Sequence, residues 1–474
     1  MPGVAGDFDT FQTARATAAA IRAREVSPLE VLDACLTRVD AVNDSLNALI
    51  WRNDEEARQA AVAAGDALVK SRGEDLPPFH GVPIPIKDLT PVAGWPVTYG
   101  SWGADGARSE TSDLVVEAFK RAGFILTGRT NTPEFGATLV TENDRYGITR
   151  NPWDLDRTAG GSSGGAAAAV AGGLFPIAHG NDGGGSIRVP ASCCGLVGLK
   201  VSRGRVPSLV IHWEGAAVEG ILSHDVADTA AVLDSISGPD ALQWYNAPGP
   251  ERPFLTEVGA DPGRLRVGLV IENPLGLDVD EPCAAAAGAA AIALEKAGHH
   301  VEAVMYEVPE PFLVAFLNVV NSGLAGHPVD WDKTEPHIRA ERAAAQAVDS
   351  LTYVESVQEL QRWSRDFIAQ WGRDFDVLLS PTMSIEPPRA GEVLPALHAE
   401  AGRGIPLPVL QMAVFVVGHN VNGLPAISLP THVAPSGLPV GVQLVAGPWR
   451  EAQLFRVAAQ LEEALPWSGR RPVL

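Results

Sequence analysis

The chain reads as an α/β protein, one domain with helices around a mixed central sheet, and three observations lead there. Helix-like and strand-like segments alternate at 113–128 and again from 265 to the C-terminus. Hydrophobic residues make up 46% of 474 positions, ample for a large core. At this length the chain could hold one large domain or two to three smaller ones. No internal repeat or linker divides it, so one domain over 1–474 is the economical reading, with N-terminal helices over 1–75, a glycine- and serine-rich core over 80–207 and a further α/β part over 265–474.

Residues 8–69 read as helical. Ser27-Pro28-Leu29-Glu30 is a capping box with proline at the first helical position, and Val31, Leu32, Cys35 and Leu36 extend an apolar face. An alanine-rich helix over 57–69 leads into a polar turn at 71–78. The apolar run 81–86, Gly-Val-Pro-Ile-Pro-Ile, reads as a strand or extended segment ending on Lys87-Asp88. Residues 113–122 form a helix and 123–128 a buried strand. Downstream come a strand at 265–271, a helix at 282–297, a mostly helical block at 310–371 and a strand at 376–380. A Pro/Gly-rich loop at 384–408 precedes core strands at 426–429 and 440–445, and an amphipathic helix over 451–463 closes the chain.

Composition excludes several roles. A net charge of −21 argues against nucleic acid and against polybasic membrane docking. Cys35, Cys193, Cys194 and Cys283 are too few for a disulfide framework, and the adjacent pair reads as small packing residues. There is no CxxC, no HExxH and no closely spaced His/Asp cluster, so neither a metal nor a cofactor is expected. The first twelve residues lack the pattern of a secretory signal, and the apolar stretch 166–178 is short and broken by glycine and proline. A reduced cytoplasmic setting is the expectation.

Two glycine–serine runs are candidates for chemistry. Glycines let the backbone approach a ligand and aim N–H groups at one point. In the first, 160–165, the string Gly160-Gly161-Ser162-Ser163-Gly164 satisfies GxSxG, but the polar, proline-broken residues upstream are no nucleophile-elbow strand. It reads equally as a flexible loop before the alanine-rich helix 166–171. The second, 180–190, places Gly183, Gly184 and Gly185 before Ser186, with Asp182 and Arg188 able to brace the turn. Among six lysines, Lys87 stands out because its N-terminal neighbours are apolar and it ends a predicted core strand. A desolvated lysine has a lowered pKa and can act as a base, whereas a strand-end lysine can also reach solvent or pair with Asp88. His179 reads as structural.

Together these strings are similar to the amidase signature family. The matching blocks are GVPIPIKD at 81–88, GRTNTPEFG at 128–136, GITRNPWDLDRTAGGSSGG at 147–165, HGNDGGGSIRVPASCCGLVGLK at 179–200 and NVNGLPAISLP at 420–430. The resemblance covers residue 10 to the end and is densest between 80 and 207. It implies a mixed, twisted sheet with helices on both faces, and a Ser–cis-Ser–Lys triad of Ser186 as nucleophile, Ser162 as relay and Lys87 as base. The backbone N–H groups of Gly183, Gly184, Gly185 and Ser186 match the oxyanion hole, with Ser163, Asp182 and Arg188 in support. The form of the 179–186 block is similar to stand-alone bacterial amidases and to hydrolases of cyclic nylon oligomers.

Hydrolysis of a small to medium carboxamide through an acyl-enzyme is therefore expected, with activity rising toward alkaline pH. Gly183 stands where many relatives carry a side chain, and this departure is expected either to enlarge the mouth of the site or to loosen that N–H. A glutamine-hydrolysing subunit of a tRNA-dependent amidotransferase is the rival, disfavoured because Ala413 holds the position where that relative carries an acidic residue. A catalytically silent binding protein would need a damaged triad. Pocket candidates are Trp95, Tyr99, Trp102, Phe316, Asn318 and Phe415. The expected partners are a small-molecule amide and, at most, a second copy in a homodimer.

Overall fold

Eight strands form the main sheet in a computed structural model, which describes residues 8–71 and 75–474. Across the sheet they run His300–Ala303, Arg266–Leu269, Val377–Pro381, Pro439–Ala446, Ala426–Val433, Val197–Lys200, Val218–Ser223 and Ala178–Asp182. The first three pair in parallel and the rest antiparallel, so the sheet is mixed.

Strand alternation explains the layers, because successive side chains leave opposite faces. In Pro439–Ala446, the side chains of Val440, Val442, Leu444 and Ala446 join the core built with helices Val226–Ile236, Glu281–Lys296 and Glu451–Ala464. Gly441 and Gln443 face the other way. Gln443 accepts from Arg188 at 2.7 Å, and a Cβ on Gly441 would lie 2.7 Å from Ser192 Oγ. Both partners sit on the short helix Arg188–Cys194, so helices cover both faces.

A three-stranded sheet sets the lysine. Leu49–Arg52 runs antiparallel and Pro83–Lys87 parallel to Ile125–Thr130, with Lys87 opposite Thr130. The Lys87 N–H donates to His179 Nδ1 at 3.3 Å, which ties this sheet to the edge strand Ala178–Asp182 of the larger one.

Several expectations change. The stretch 8–69 is not helical throughout, because Leu49–Arg52 finds a strand partner about 75 residues away in sequence. The capping box at Ser27 forms as read, with Glu30 Oε2 accepting from the Ser27 N–H at 2.8 Å. The strand expected at 123–128 starts later, at Ile125. Gly123, at φ 93°, ends the preceding helix in the left-handed region instead. The loop expected at 384–408 contains the helix Val393–Ala399. The readings at the N-terminus and at 71–78 fall partly on residues 1–7 and 72–74, outside the described residues. All four cysteines are free and buried. Among the described residues, no helix is long and apolar enough to cross a membrane.

Candidate active site

Lys87 ends its strand with no solvent exposure. Burial pulls its pKa down to about 7, against the opposing charges of Glu219 and Asp182. The Nζ donates to Ser162 Oγ at 2.8 Å, Ser163 Oγ at 2.9 Å and Asn181 Oδ1 at 2.7 Å. The Ser163 hydroxyl donates to the Asn181 carbonyl at 3.2 Å, so it meets the amine with a lone pair. A neutral amine can thus give two N–H groups to Asn181 and Ser163 and turn its own lone pair to the Ser162 hydroxyl. An ammonium would use all three oxygens as acceptors. The cage suits both protonation states.

The backbone holds these hydroxyls by close packing. Gly161–Ser162 is a cis peptide bond. A Cβ on Gly161 would lie 2.7 Å from backbone atoms of Leu139 and Val140, so no larger residue fits before the serine. His179 supports the other end. Its Nδ1 accepts from Lys87, so Nε2 carries the proton and donates to Glu219 Oε2 at 2.7 Å.

Asp182 organises the second turn. Its carboxylate accepts from the N–H groups of Gly185 at 2.7 Å and Ile187 at 3.1 Å. Arg188 closes a buried two-pronged ion pair with it, at 3.0 Å from Nε and 2.9 Å from Nη2. Although burial works against the charge, Arg188, Asn420 and Lys200 hold the Asp182 carboxyl well below the usual range. Asn420 donates from Nδ2 to both the side chain and the carbonyl of Asp182 at 2.9 Å. Sequence reading did not assign roles to Asn181, Glu219 or Asn420. Asn181 lies inside the glycine run and could have been flagged; the other two arrive from remote elements.

One expected oxyanion donor is corrected here. The Gly185 N–H has a single proton, and Asp182 takes it. Among the described residues, the N–H groups of Gly183, Gly184 and Ser186 have no such protein acceptor.

Ser186 is 6% exposed and opens on two cavities. The smaller, about 100 Å³, also contains Ser162, Asn181, Tyr99 and Glu219. The larger, about 300 Å³, is lined by Gly184, Phe316, Asn321, His337, Glu341 and Val417 among others. Ser162 and Ser186 share the smaller cavity, and among the described residues no hydrogen bond joins their hydroxyls. Trp213 borders both cavities and a third of about 680 Å³. Its ring fills the space beside Gly183, where a Cβ would lie 2.3 Å from Cζ3, and beside Gly323, where one would lie 2.6 Å from Cδ1. The missing side chain at Gly183 therefore does not widen the mouth; an indole occupies the gap.

Of the pocket candidates, Tyr99 and Phe316 line these cavities. Trp95 is a core residue, its ring 5.0 Å from Trp51. Trp102 is 56% exposed and bonds through Nε1 to the Asp144 carbonyl. Asn318 turns away to Ser356 at 3.0 Å, leaving Asn321, one turn along the helix, to face the cavity. Phe415 is fully buried in a core cluster behind the wall. A local aromatic signal does not say which face of its element meets the cavity.

The helix Pro336–Gln346 carries titratable groups into the larger cavity. Burial raises the Glu341 carboxyl to about 8. Glu335, the residue capping that helix, lies with His337 and His398 in one group whose ligating atoms are all within 4.8 Å of one another. No spacing in the sequence announces this group, since His398 is remote from the other two.

Known proteins resemble the chain along its length. The family model described as Amidase matches residues 30–455. The 6-aminohexanoate-cyclic-dimer hydrolase of Pseudomonas sp. (strain NK87) is 40% identical, over 98% of this chain and 97% of that protein.

The chain belongs to the amidase family.

Solved structures agree with this amidase assignment. A 6-aminohexanoate cyclic dimer hydrolase complexed with substrate superposes with a TM-score of 0.91 at 38% identity, covering 98% of this chain and 99% of that one. A bacterial aryl acylamidase of the amidase signature family superposes at 0.87 with 25% identity, covering 97% and 99%. The fold is the single-domain amidase-signature fold, and the chemistry of the family is hydrolysis of an amide C–N bond.

Proposed function

We propose that this amidase hydrolyses a small to medium uncharged carboxamide through an acyl-enzyme on Ser186, with Lys87 as base and Ser162 as proton relay. The buried Lys87 Nζ, 2.8 Å from Ser162 Oγ in the cavity that Ser162 shares with Ser186, carries the reading. A serine hydroxyl is too weak an acid to ionise alone. With Lys87 neutral, Ser162 passes its proton to Nζ and takes one from Ser186. The contact between the two hydroxyls closes on substrate binding, as contacts between catalytic groups commonly do.

Ser186 Oγ then bonds to the amide carbon. The resulting oxyanion takes hydrogen bonds from Gly183, Gly184 and Ser186, each such donor worth roughly 3 kcal/mol. Run in reverse, the relay delivers the proton to the departing nitrogen, and the C–N bond breaks. Water attacks the acyl-enzyme in the same way and releases the carboxylate.

The named substrate of the relatives makes a cyclic amide the first compound to try. The wall of Phe316, Val320, Leu397 and Val417 suits aliphatic carbon on that side of the carbonyl. Four free, buried thiols favour a reducing compartment such as the cytoplasm. An amide panel of cyclic oligoamide, lactam, linear aliphatic amide, aryl amide and glutamine, read by amine or ammonia release, tests the assignment. Turnover of an uncharged amide that disappears in Ser186→Ala is expected. Release from glutamine alone would overturn the substrate class.

A further inference from the structure

We propose that Glu335, His337 and His398 form a binding site for a zinc-class divalent cation beside the substrate cavity. Glu335 Oε2 lies 3.5 Å from His337 Nδ1 and 3.4 Å from His398 Nε2. Bonds of 2.0–2.2 Å to a tetrahedral zinc ion put neighbouring ligand atoms about 3.3–3.5 Å apart. Two edges of the coordination tetrahedron are therefore already at their length. The third, between the two imidazoles, falls within the 4.8 Å span of the group. His398 sits on a seven-residue helix and is 24% exposed in its side chain, so it can swing to close that edge.

An independent observation points to a ligand. His337 is 4% exposed, and neither of its ring nitrogens has a hydrogen-bond partner. A buried imidazole without a partner forfeits its hydration with nothing in exchange, unless something else uses its lone pair. The carboxylate, in turn, is oriented. The Asp144 N–H donates to Glu335 Oε1 at 2.8 Å and leaves Oε2 facing the two rings. Such outer hydrogen bonds commonly aim a metal-binding carboxylate. Among the described residues no lysine or arginine pairs with Glu335.

Two imidazoles and one carboxylate select a borderline cation of the zinc type over magnesium or calcium, which prefer all-oxygen shells. Three protein ligands leave a fourth position for water. His337 and Leu397 both line the larger cavity. A cation here would fasten the helix Pro336–Gln346 to Val393–Ala399 and stiffen that wall.

The test uses the full chain after dialysis against a chelator, titrated calorimetrically with ZnCl2 and, separately, MgCl2. One zinc per chain is expected, with a melting temperature that climbs with zinc concentration and no response to magnesium. His398→Ala should weaken zinc binding by more than ~100-fold while its circular dichroism stays native. Crystals soaked in zinc should give an anomalous peak between the three side chains, and this arm decides the matter if the variant fails to fold. Absence of stoichiometric binding, unchanged affinity in His398→Ala, or a peak only at surface groups such as His300 and Glu302 would overturn the proposal.

Discussion

On the Lys87 side of Ser186, the buried charged groups nearest the serine are paired. Lys87 meets three oxygens, and Asp182, Arg188, Asn420 and Gln443 form one connected network. Across the serine, the wall built by Glu310–Leu324, Pro336–Gln346 and Val393–Ala399 is mostly apolar, and the His337 ring and Glu341 Oε2 on it lack partners. A satisfied network has one low-energy arrangement, whereas an apolar wall tolerates many. Chemistry is therefore expected to be brittle on the first side, and substrate range adjustable on the second.

The largest effects should come from the paired side. Ser186→Ala and Lys87→Ala are each expected to lower kcat by ~10⁴-fold or more, and the double variant to be little worse, because the groups act as a unit. Steady-state kinetics on any amide substrate checks this, and additive losses would break the comparison. Next in size, Arg188→Met leaves Asp182 charged and buried without its main partner. It should cost about 3–5 kcal/mol in chemical denaturation. A loss under 1 kcal/mol would show that the network is not what fixes the turn.

On the wall side the expected effects are on selection. Trp213→Ala removes the partition between the cavities at Ser186 and the neighbouring 680 Å³ space. Bulky amides should gain roughly 10-fold in kcat/KM relative to small ones, in the range one pocket contact supplies. Gly183→Ala pushes the same indole aside and should shift selectivity too; unchanged ratios in both variants would remove Trp213 from the specificity account. The smallest effect belongs to Glu219→Gln. The Glu219 charge favours the ammonium form of Lys87, so its removal should move the acid limb of the rate profile to lower pH. A shift to higher pH would reverse the sign of that coupling.

The same division decides what could be read from the sequence. Lys87, Ser162 and the 180–188 turn lie in short strings whose glycines and serines have meaning at fixed offsets, and Asp182 braces the turn with Arg188, six positions on. The strands read at 426–429 and 440–445 were legible because both are short, mostly apolar segments, and they prove buried along almost their whole length. Leu49–Arg52 was not, since four residues after a helix become a strand only through a remote partner. Trp213 escaped notice because its importance lies in two glycines, at 183 and 323, that leave room for its ring. Asn318 and Asn321 differ by one helical turn, and nothing local says which faces the cavity. Gly185 was miscounted as an oxyanion donor for the same reason: the string displays an N–H but not the acceptor that takes it.

The most direct test is the rate at which a fluorophosphonate labels Ser186, followed from pH 5.5 to 9.5 in the wild type and in Ser162→Ala. Because Lys87 becomes a base only after losing its proton, the wild-type rate should rise with an apparent pKa of about 7 and level off above it. Ser162→Ala should be slow at every pH. A wild-type rate that is flat between pH 6 and 9, or a Ser162→Ala variant that labels as fast as the wild type, would contradict the relay.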